Sequence, residues 1–344
     1  IIDNQGEHDM YSAELKWSGD IMDGRAFLQA GVYYMDEDNE VDFVDYLDLA
    51  AVGVPAPPST LFTTLADRVL SNTTESFAVY AQADIKVGEN GTLTLGARYT
   101  DEEKTVDFQG TVNSSEMIGL GIPLSQSEEE VTPRIAYAHK FSDNLMMYGS
   151  ATRGFKSGGW NARASSSAGL QPFAPETIWS YELGMRGDWM DGRLRTNVTA
   201  FYSDLEDLQT TAATPDGQFL TTNAGALEVP GIEAEITALP ADNWQIFAAL
   251  GWQNPKYKDL PGGCITPNAN LAAYDVDCNV AEPKRSPHQT YTVGTSIDFS
   301  LGGLTLTPNV MVRYLGAQYP ATRNQGYNES VTLINAGVKL SMDG

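Results

Sequence analysis

Basic residues are scarce in this chain of 344 residues. Lysine and arginine together number 21, against 45 aspartates and glutamates, and the formal net charge is −24. A protein that binds nucleic acid uses positive charge to neutralise phosphate, so this balance excludes nucleic acid as a partner. An acidic, well-solvated surface accounts for the excess of carboxylates better than a specific cation site does.

Histidine is nearly absent, and catalytic signatures are missing. The three histidines, His8, His139 and His288, are widely separated, and the chain holds no Gly-x-Ser-x-Gly, His-Glu-x-x-His or phosphate-loop motif. The sequence therefore predicts no enzyme, no cofactor and no metal site. The acidic run from Asp36 to Asp48 lacks the spacing of an EF-hand, and it is interpreted as a solvated stretch of loop.

Cysteine is limited to Cys264 and Cys278, which have thirteen residues between them in a segment rich in glycine, proline and asparagine. An even pair within one polar loop predicts a loop-closing disulfide and an oxidising compartment. Two free thiols are the alternative. A metal site needs more ligands than this segment offers, since the nearest histidine is His288.

Long hydrophobic runs are missing as well. No stretch approaches the roughly 20 apolar residues that a membrane-spanning helix needs, which excludes a helical membrane protein. The chain shows alternation instead: over residues 179–189 the odd positions are mostly apolar or aromatic, and the even positions are mostly polar or charged. A period of two predicts a β-strand with one apolar face and one polar face.

This alternation recurs thirteen times and predicts an all-β, antiparallel fold. Short turns rich in Asp, Asn and Gly, such as Met22-Asp23-Gly24-Arg25, alternate with long connections, of which 36–72 and 105–128 come first. Short turns at one end and long loops at the other are typical of a bacterial outer-membrane β-barrel, with the loops extracellular. The predicted strands cover residues 7–19, 24–35, 73–87, 91–104, 129–140, 144–155, 175–189, 193–208, 218–238, 244–258, 288–299, 304–318 and 329–341.

Charges on the polar faces favour a membrane barrel over a soluble one. A soluble barrel fills its interior with side chains, and a dry interior would impose large desolvation costs on so many charged groups. A water-filled lumen imposes none, provided that the apolar faces meet lipid and that aromatic residues at strand ends lie at the interfaces. The charged residues assigned to the lumen include Glu182, Arg186, Glu233, Glu235 and Arg313.

The strand count and the final residues predict an incomplete barrel. Single-chain bacterial barrels close with an even number of strands, and thirteen is odd. Residues 341–344 repeat the Met-Asp-Gly of the turns that begin at Met22 and Met190. We therefore expect residues 1–344 to form part of a larger barrel, with strands missing at both ends.

A series of short motifs begins at Val131 and continues beyond Leu208. The motifs are Thr132-Pro133-Arg134, Tyr148-Gly149-Ser150-Ala151-Thr152-Arg153-Gly154-Phe155-Lys156-Ser157-Gly158-Gly159-Trp160-Asn161, Phe173-Ala174-Pro175-Glu176, Tyr181-Glu182-Leu183-Gly184, Asp191-Gly192-Arg193-Leu194, Phe201-Tyr202, Asp207-Leu208-Gln209, Asn223-Ala224-Gly225, Gly231-Ile232-Glu233-Ala234-Glu235 and Leu333-Ile334-Asn335-Ala336-Gly337. Each motif is weak alone, but their order and spacing closely resemble the barrel of TonB-dependent receptors. The resemblance is nearest to siderophore receptors of the ferric-yersiniabactin type.

The resemblance implies a transmembrane barrel of about 22 strands closed by an N-terminal plug. Residues 1–344 would hold about strands 8 to 20, so the plug, the TonB box and the first and last strands would lie elsewhere. It also implies a monomeric importer in the outer membrane of a Gram-negative bacterium, driven by the TonB–ExbB–ExbD complex through the absent N-terminal region. The lumenal charges would then pair with plug charges or with barrel neighbours.

Ligand contacts are expected on the long loops and in the upper lumen. Ferric siderophores are often anionic and aromatic, which suits arginine, lysine, tryptophan and tyrosine. Interfacial anchoring is the alternative role for Trp252 and the tyrosines. The candidates are Arg153, Lys156, Trp160, Arg163, Trp252, Tyr257, Tyr319 and Arg323.

Three functions stay open on the sequence alone. The first is active import of a ferric siderophore, with cobalamin, haem or a saccharide as alternative substrates. A haem receptor would use His8 and His288 as ligands on the outer side, although chance placement explains these histidines better. The second is a passive porin or a secretion barrel, and the third is an adhesive or structural surface barrel. A plug and a TonB box upstream distinguish the first function from the second.

Overall fold

A computed structural model describes residues 2–48, 53, 62–110, 113–161, 169–213, 219–223, 225–259, 283–320 and 328–342. Its main antiparallel sheet is built from strands that pair with the next long strand along the chain. The strands are β1 Ile2–Ile21, β2 Ala26–Asp48, β3 Phe62–Val87, β4 Gly91–Gly110, β5 Ser125–Ser142, β6 Leu145–Lys156, β7 Gly159–Trp160, β8 Pro172–Phe173, β9 Glu176–Trp189, β10 Leu194–Glu206, β11 Gln209–Ala213, β12 Phe219–Asn223, β13 Ala226–Ala241, β14 Trp244–Gln253, β15 Lys256–Asp259, β16 Gln289–Ile297, β17 Phe299–Ser300, β18 Leu304–Leu315 and β19 Val331–Met342.

The antiparallel, all-β fold is confirmed, and each of the thirteen predicted strands has a counterpart in the main sheet. The strand predicted over 218–238 is divided, because residues 219–223 form β12 in a separate hairpin and β13 begins at Ala226. The thirteen counterparts form the path β1-β2-β3-β4-β5-β6-β9-β10-β13-β14-β16-β18-β19. The short strands β15 and β17 add pairs to β13 and β18, while β7–β8 and β11–β12 form two separate small hairpins within the long connections. The end of the sheet that carries the short turns is called the turn end here, and the opposite end is the loop end.

Two faces of the sheet follow from the register of the strands. Leu183 pairs with Gly149 and Ala200, and Ala200 pairs with Ile232. This row defines the Leu183 face, and the alternate positions define the Glu182 face. The apolar side chains of the Leu183 face are exposed, with 60% of Leu183 and 48% of Ile232 accessible. The apolar residues of these strands therefore do not form a dry centre.

The strands β2 and β3 extend much further towards the loop end than the sequence predicted. Residues 36–72 were expected to form a long loop, but β2 continues to Asp48 and β3 begins at Phe62. The acidic run is therefore mostly strand, and its interpretation as a loop is wrong. The reason is that the alternation continues with inverted polarity: Asp38 and Glu40 lie on the Leu183 face, while Val41 lies on the Glu182 face.

A small hydrophobic core occupies the Glu182 face at the loop end. The residues Leu70 and Phe108 come from β3 and β4, and the connection between β4 and β5 folds back over them. This connection contains the helix α1 (Ser114–Gly119), whose N-terminus is capped by Asn113. The buried residues of this outer core are Leu70, Val106, Phe108, Met117, Ile122 and Leu170, with Leu124, Trp160 and Leu220 packed against them.

The helix α1 has six residues, so it is far too short to cross a bilayer. Across the described ranges, no helix is long and apolar enough to span a membrane.

Candidate functional site

Two asparagines join the long connections to one another at the loop end. Asn161, which is buried, donates through Nδ2 to the backbone oxygen of Thr221 at 3.0 Å, and its Oδ1 accepts from the Thr221 N–H. Asn223 Oδ1 accepts from the Ala174 N–H at 2.6 Å, and its Nδ2 donates to the Asp207 oxygen at 2.8 Å. Both amides use donor and acceptor together, so they fix segments that are far apart in sequence.

Gln209 and Glu176 extend the same network towards β9. The Nε2 of Gln209 donates to the backbone oxygens of Ser157 at 2.9 Å and Ala174 at 3.0 Å. Its own N–H donates to Glu176 Oε2 at 2.7 Å. The two small hairpins, β7–β8 and β11–β12, are therefore held against the start of β9 by side-chain hydrogen bonds to backbone groups. We call the residues Asn161, Gln209 and Asn223 the loop clamp.

A carboxylate attaches the β7–β8 hairpin to the barrel wall. Both oxygens of Glu128 accept from the Gly158 N–H, at 3.0 and 3.1 Å, and Lys104 donates to the Gly158 oxygen at 3.0 Å. Burial raises the pKa of the Glu128 carboxyl, and the neighbouring Glu102 and Glu130 raise it further. The hydrogen bond from Gly158 and the charge of Lys104 oppose this rise without cancelling it.

The hairpin and the sheet line an open cavity of about 430 Å³ on the Glu182 face, named the loop-end cavity. Apolar and aromatic side chains form one part of its lining, and acidic and amide side chains form the other. The lining includes Met35, Phe43, Leu70, Trp160 and Phe173 together with Glu37, Asn39, Asn72, Glu102 and Lys104. Such a mixture of apolar walls and a few polar groups is common in sites for small molecules.

A second cavity, of about 530 Å³, lies on the Glu182 face near the turn end. Tyr148 forms its centre: the ring lies over Gly184, the hydroxyl contacts Thr199 Oγ1 at 3.0 Å, and the Arg186 guanidinium lies 5.6 Å from the ring centroid. A Cβ on Gly184 would approach the Tyr148 ring to 2.2 Å, so only glycine fits there. Glu233 and Glu235 complete the wall.

The five charges predicted for the lumen do lie on the Glu182 face, and they are exposed. Arg186, Glu233 and Glu235 share the turn-end cavity, and Arg313 lies beside the two glutamates in an adjoining cavity of about 490 Å³. Glu182 lines neither cavity. Within the described ranges, none of the five takes part in a salt bridge. Their charge is therefore left to water or to a partner on this face.

The predicted ligand residues near the loop clamp are already engaged. Arg153 pairs with Trp179 in a row of the Leu183 face, and its guanidinium contacts Glu130 Oε2 at 2.5 Å. Lys156 remains 60% exposed, with its Nζ 3.5 Å from Glu176. Trp160 packs against the outer core and donates from Nε1 to the Pro123 oxygen at 3.1 Å. Of the three, Trp160 is the one that lines the loop-end cavity.

The other predicted ligand residues are dispersed. Trp252 pairs with Ile232 on the Leu183 face and is 45% exposed there, which fits an interfacial anchor. Tyr257 pairs with Leu227 on the Glu182 face. Tyr319 lines another cavity together with His288, away from the loop-end cavity. The remaining predictions fall outside the described residues, namely Arg163, Arg323 and the disulfide between Cys264 and Cys278.

Sequence reasoning missed Met35, Glu37 and Phe43, which line the loop-end cavity. They lie in or beside the acidic run that was interpreted as a loop. The signal was present: over residues 35–43 the odd positions include Met35, Val41 and Phe43, while the even positions are acidic. A strand here places the acidic positions on the Leu183 face, which is apolar in the other strands, so the pattern is reversed.

A family model described as TonB dependent receptor-like, beta-barrel matches residues 3–342. The chain belongs to the TonB-dependent receptor β-barrel family. Members are outer-membrane proteins of Gram-negative bacteria and are not enzymes. The family assignment thus confirms the fold class, the location and the non-enzymatic class predicted from the sequence.

Proteins similar to this TonB-dependent receptor barrel include one relative matched by sequence and two solved structures matched by fold. The ferric-pyoverdine M114 receptor PbuA of Pseudomonas sp. (strain M114) is 27% identical over 187 residues, which make up 53% of this chain and 21% of the relative. The ferric yersiniabactin uptake receptor FyuA of Yersinia pestis has a TM-score of 0.77 at 15% identity, covering 98% of this chain and 47% of that chain. For BauA, the ferric preacinetobactin receptor of Acinetobacter baumannii, the TM-score is 0.69 at 19% identity, with 99% and 48% covered.

The two solved structures show the fold, and the chain spans about half of their length. The receptor motifs quoted from the sequence now have a physical explanation. Ser157 and Asn161, Ala174 and Glu176, and the motifs at Gln209 and Asn223 all meet at the loop clamp. These motifs therefore lie where the connection from β6 to β9 and the connection from β10 to β13 exchange hydrogen bonds.

Proposed function

We propose that the chain is part of the barrel of a receptor that imports a ferric siderophore across the outer membrane. Energy would come from the TonB–ExbB–ExbD complex, which would act through regions outside residues 1–344. The named relatives PbuA, FyuA and BauA, which are receptors for ferric siderophores, support this proposal. The receptor is proposed to act as a monomer.

The loop-end cavity is the observation that carries the proposal. It is partly apolar, it is preformed by the outer core and the loop clamp, and it lies on the face that would line the lumen. A passive pore has no need of such a fixed recess beside its opening, whereas a receptor must hold its ligand before transport. The volume of about 430 Å³ falls within the usual range for small-molecule sites.

The two faces of the sheet fit this role. The exposed apolar residues of the Leu183 face would contact acyl chains, with aromatic residues such as Trp179 and Tyr181, whose stacked rings lie 6.0 Å apart, near the interface. The unpaired charges of the Glu182 face, among them Arg186 and Glu235, would contact the plug. Few and hydrated contacts between this face and the plug would let the plug move during transport.

Uptake of radioactive iron from siderophore chelates tests the proposal. Under iron limitation, a strain that lacks the full-length gene is expected to lose uptake from at least one chelate, and the intact gene should restore it. Restoration should require TonB. If the deletion strain takes up iron normally from every chelate, import is the wrong function. If uptake is restored equally well without TonB, the passive barrel is the better assignment.

A further inference from the structure

We propose that the loop-end cavity selects ferric chelates that are neutral or positively charged, and that Glu37 sets this preference. The inference rests on the proposed importer function and narrows its substrate class. It reverses the expectation from the sequence, in which arginine and lysine side chains near the loops were to bind an anionic chelate.

Two carboxylates and one amine are the charged groups in the described lining of the cavity. Glu37 and Glu102 line the cavity, and Lys104 is the basic residue among its described lining. The Nζ of Lys104 lies 3.0 Å from Glu102 Oε1 and also donates to the Gly158 oxygen at 3.0 Å. Its positive charge is therefore matched inside the wall. Arg68, whose guanidinium lies 5.7 Å from the Phe43 ring centroid, is matched by Asp45 at 2.9 Å. An anion entering the cavity would therefore meet the carboxylate of Glu37, while these two bases are already paired.

The neighbouring basic residues are matched in the same way. Arg153 contacts Glu130 at 2.5 Å, and Lys156 lies 3.5 Å from Glu176. Glu128 lies in the same cross-strand row as Glu102 and accepts hydrogen bonds from the Gly158 backbone. Carboxylates thus outnumber bases around the cavity. The described partner of Glu37 is His8, whose Nδ1 lies 3.5 Å from Glu37 Oε1. The Glu37 side chain is 29% exposed, so a ligand in the cavity can reach its carboxylate.

The aromatic walls point to the same class of ligand. Trp160 is held in place by its hydrogen bond to the Pro123 backbone oxygen, and Phe173 also lines the cavity. Phe43 lines it too, with the Arg68 guanidinium 5.7 Å from its ring centroid. Aromatic faces attract cations and repel anions through the ring quadrupole, and they also bury the apolar parts of a neutral chelate. Carboxylates and aromatic faces therefore act in one direction.

Reversing the charge at Glu37 tests the inference in the full-length receptor. The purified receptor and its variants are titrated with ferrioxamine B, which is cationic, ferrichrome, which is neutral, and ferric enterobactin, which is anionic. The wild type is expected to bind the cationic or neutral chelate at least about tenfold more tightly than the anionic chelate. Glu37→Lys should reduce or reverse this ratio. Asp38→Lys is the matched control, because it makes the same charge change at the next residue on the opposite face.

The outcomes are distinct. Tightest binding of the anionic chelate, or equal effects of Glu37→Lys and Asp38→Lys, would overturn the charge preference. Failure of all three chelates to bind would also count against the cavity as this subsite. The importer function itself is tested separately by the deletion strain, so the two failures can be told apart.

A second measurement avoids charge reversal and needs no chelate. Met35→Cys places a thiol in the cavity wall, where it is treated with a cationic or an anionic methanethiosulfonate reagent of similar size. The cationic reagent is expected to react several-fold faster, and Glu37→Gln should reduce the ratio. The receptor without the new cysteine gives the background from Cys264 and Cys278. A ratio of one, or faster reaction with the anion, would contradict the proposal.

Discussion

The first strands and the last strands of the sheet use the Glu182 face in opposite ways. The strands β2 and β3 have 23 and 26 residues, about twice what a membrane-spanning strand needs. At the loop end the outer core buries Leu70 of β3 and Phe108 of β4 on the Glu182 face, and β2 lines the loop-end cavity beside them. The strands β14, β16 and β18 have 10, 9 and 12 residues, and their Glu182 face carries exposed charges such as Arg313. One sheet thus provides a partly apolar recess in one region and an exposed, charged wall in the other.

This difference shows what decides the polarity of a strand face. Alternation follows the medium on each side of the sheet, not the strand itself. In the short strands the Leu183 face is apolar and the Glu182 face is polar. In the long strands, beyond Tyr34 and Tyr99, the Leu183 face becomes acidic, which indicates that water and not lipid lies on that side. The Glu182 face becomes apolar where the connections cover it.

Removing a ring from the outer core should have the largest effect on this contrast. Phe108 is 1% exposed, so Phe108→Ala should destabilise the loop end by about 3 to 5 kcal/mol through lost burial and a cavity. Hydrogen exchange of the amides around α1 measures the loss. Phe299→Ala is the matched control, because Phe299 is 47% exposed and should cost much less. Equal protection in both variants would show that the outer core is not a cooperative unit.

Breaking the loop clamp should have a smaller but clear effect. Asn223→Ala removes the acceptor of the Ala174 N–H and the donor to the Asp207 oxygen, at a cost of about 1 to 3 kcal/mol. The exchange rate of the Ala174 amide should rise correspondingly. Asn309→Ala, at an exposed position of β18, should leave the exchange of the Ala174 amide unchanged. If Ala174 stays protected in Asn223→Ala, the clamp does not hold this connection.

The close approach of the Tyr148 ring to Gly184 tests whether the sheet around the turn-end cavity is rigid. Gly184→Ala would force the Tyr148 ring to move, since an ideal Cβ lies 2.2 Å from it, and overpacking of this kind costs about 1 to 3 kcal/mol. Gly149→Ala is the control, because its Cβ would meet the Glu182 oxygen at an ordinary 3.6 Å. Chemical denaturation in detergent compares the two. Equal midpoints would mean that Tyr148 is free to leave its position.

The smallest expected effect is a dependence on pH at the loop end. The pKa of Glu128 is raised above its ordinary value of 4.5, so the folded state holds its proton more tightly than the unfolded chain does. This contribution to stability therefore grows as the pH falls towards 4.5 and is lost as the pH rises through the raised pKa. Glu128→Gln should flatten the pH dependence of amide exchange at Gly158. An unchanged slope in the variant would show that Glu128 is not its source.

The strand order and the inner halves of the strands were predictable from the sequence, because hairpins between neighbours need only local alternation and turn residues. Met22 and Asp23, for example, adopt the positive φ angles, 54° and 58°, that their turn requires. The continuation of β2 through the acidic run was not predicted, because its outward carboxylates resemble a solvated loop until the cover over Val41 and Phe43 is known.

Much of the candidate site was beyond prediction for a similar reason. Trp160 was selected for its aromatic ring, and the structure places it on the loop-end cavity. Arg153 was selected for its charge, which proves to be matched by Glu130. The ion pair between Arg153 of β6 and Glu130 of β5 depends on the point at which these two strands separate. The alternation of residues along the sequence does not reveal that point.

The outer core unites residues from Leu70 to Leu220, which lie 150 positions apart in the chain. Contacts of such long range are made only after the intervening chain has been ordered. We therefore expect the hairpins of this domain to form one after another along the chain, and the loop-end cavity to form late in folding. A chain halted before that step would have its strands paired and its loop-end cavity still unformed.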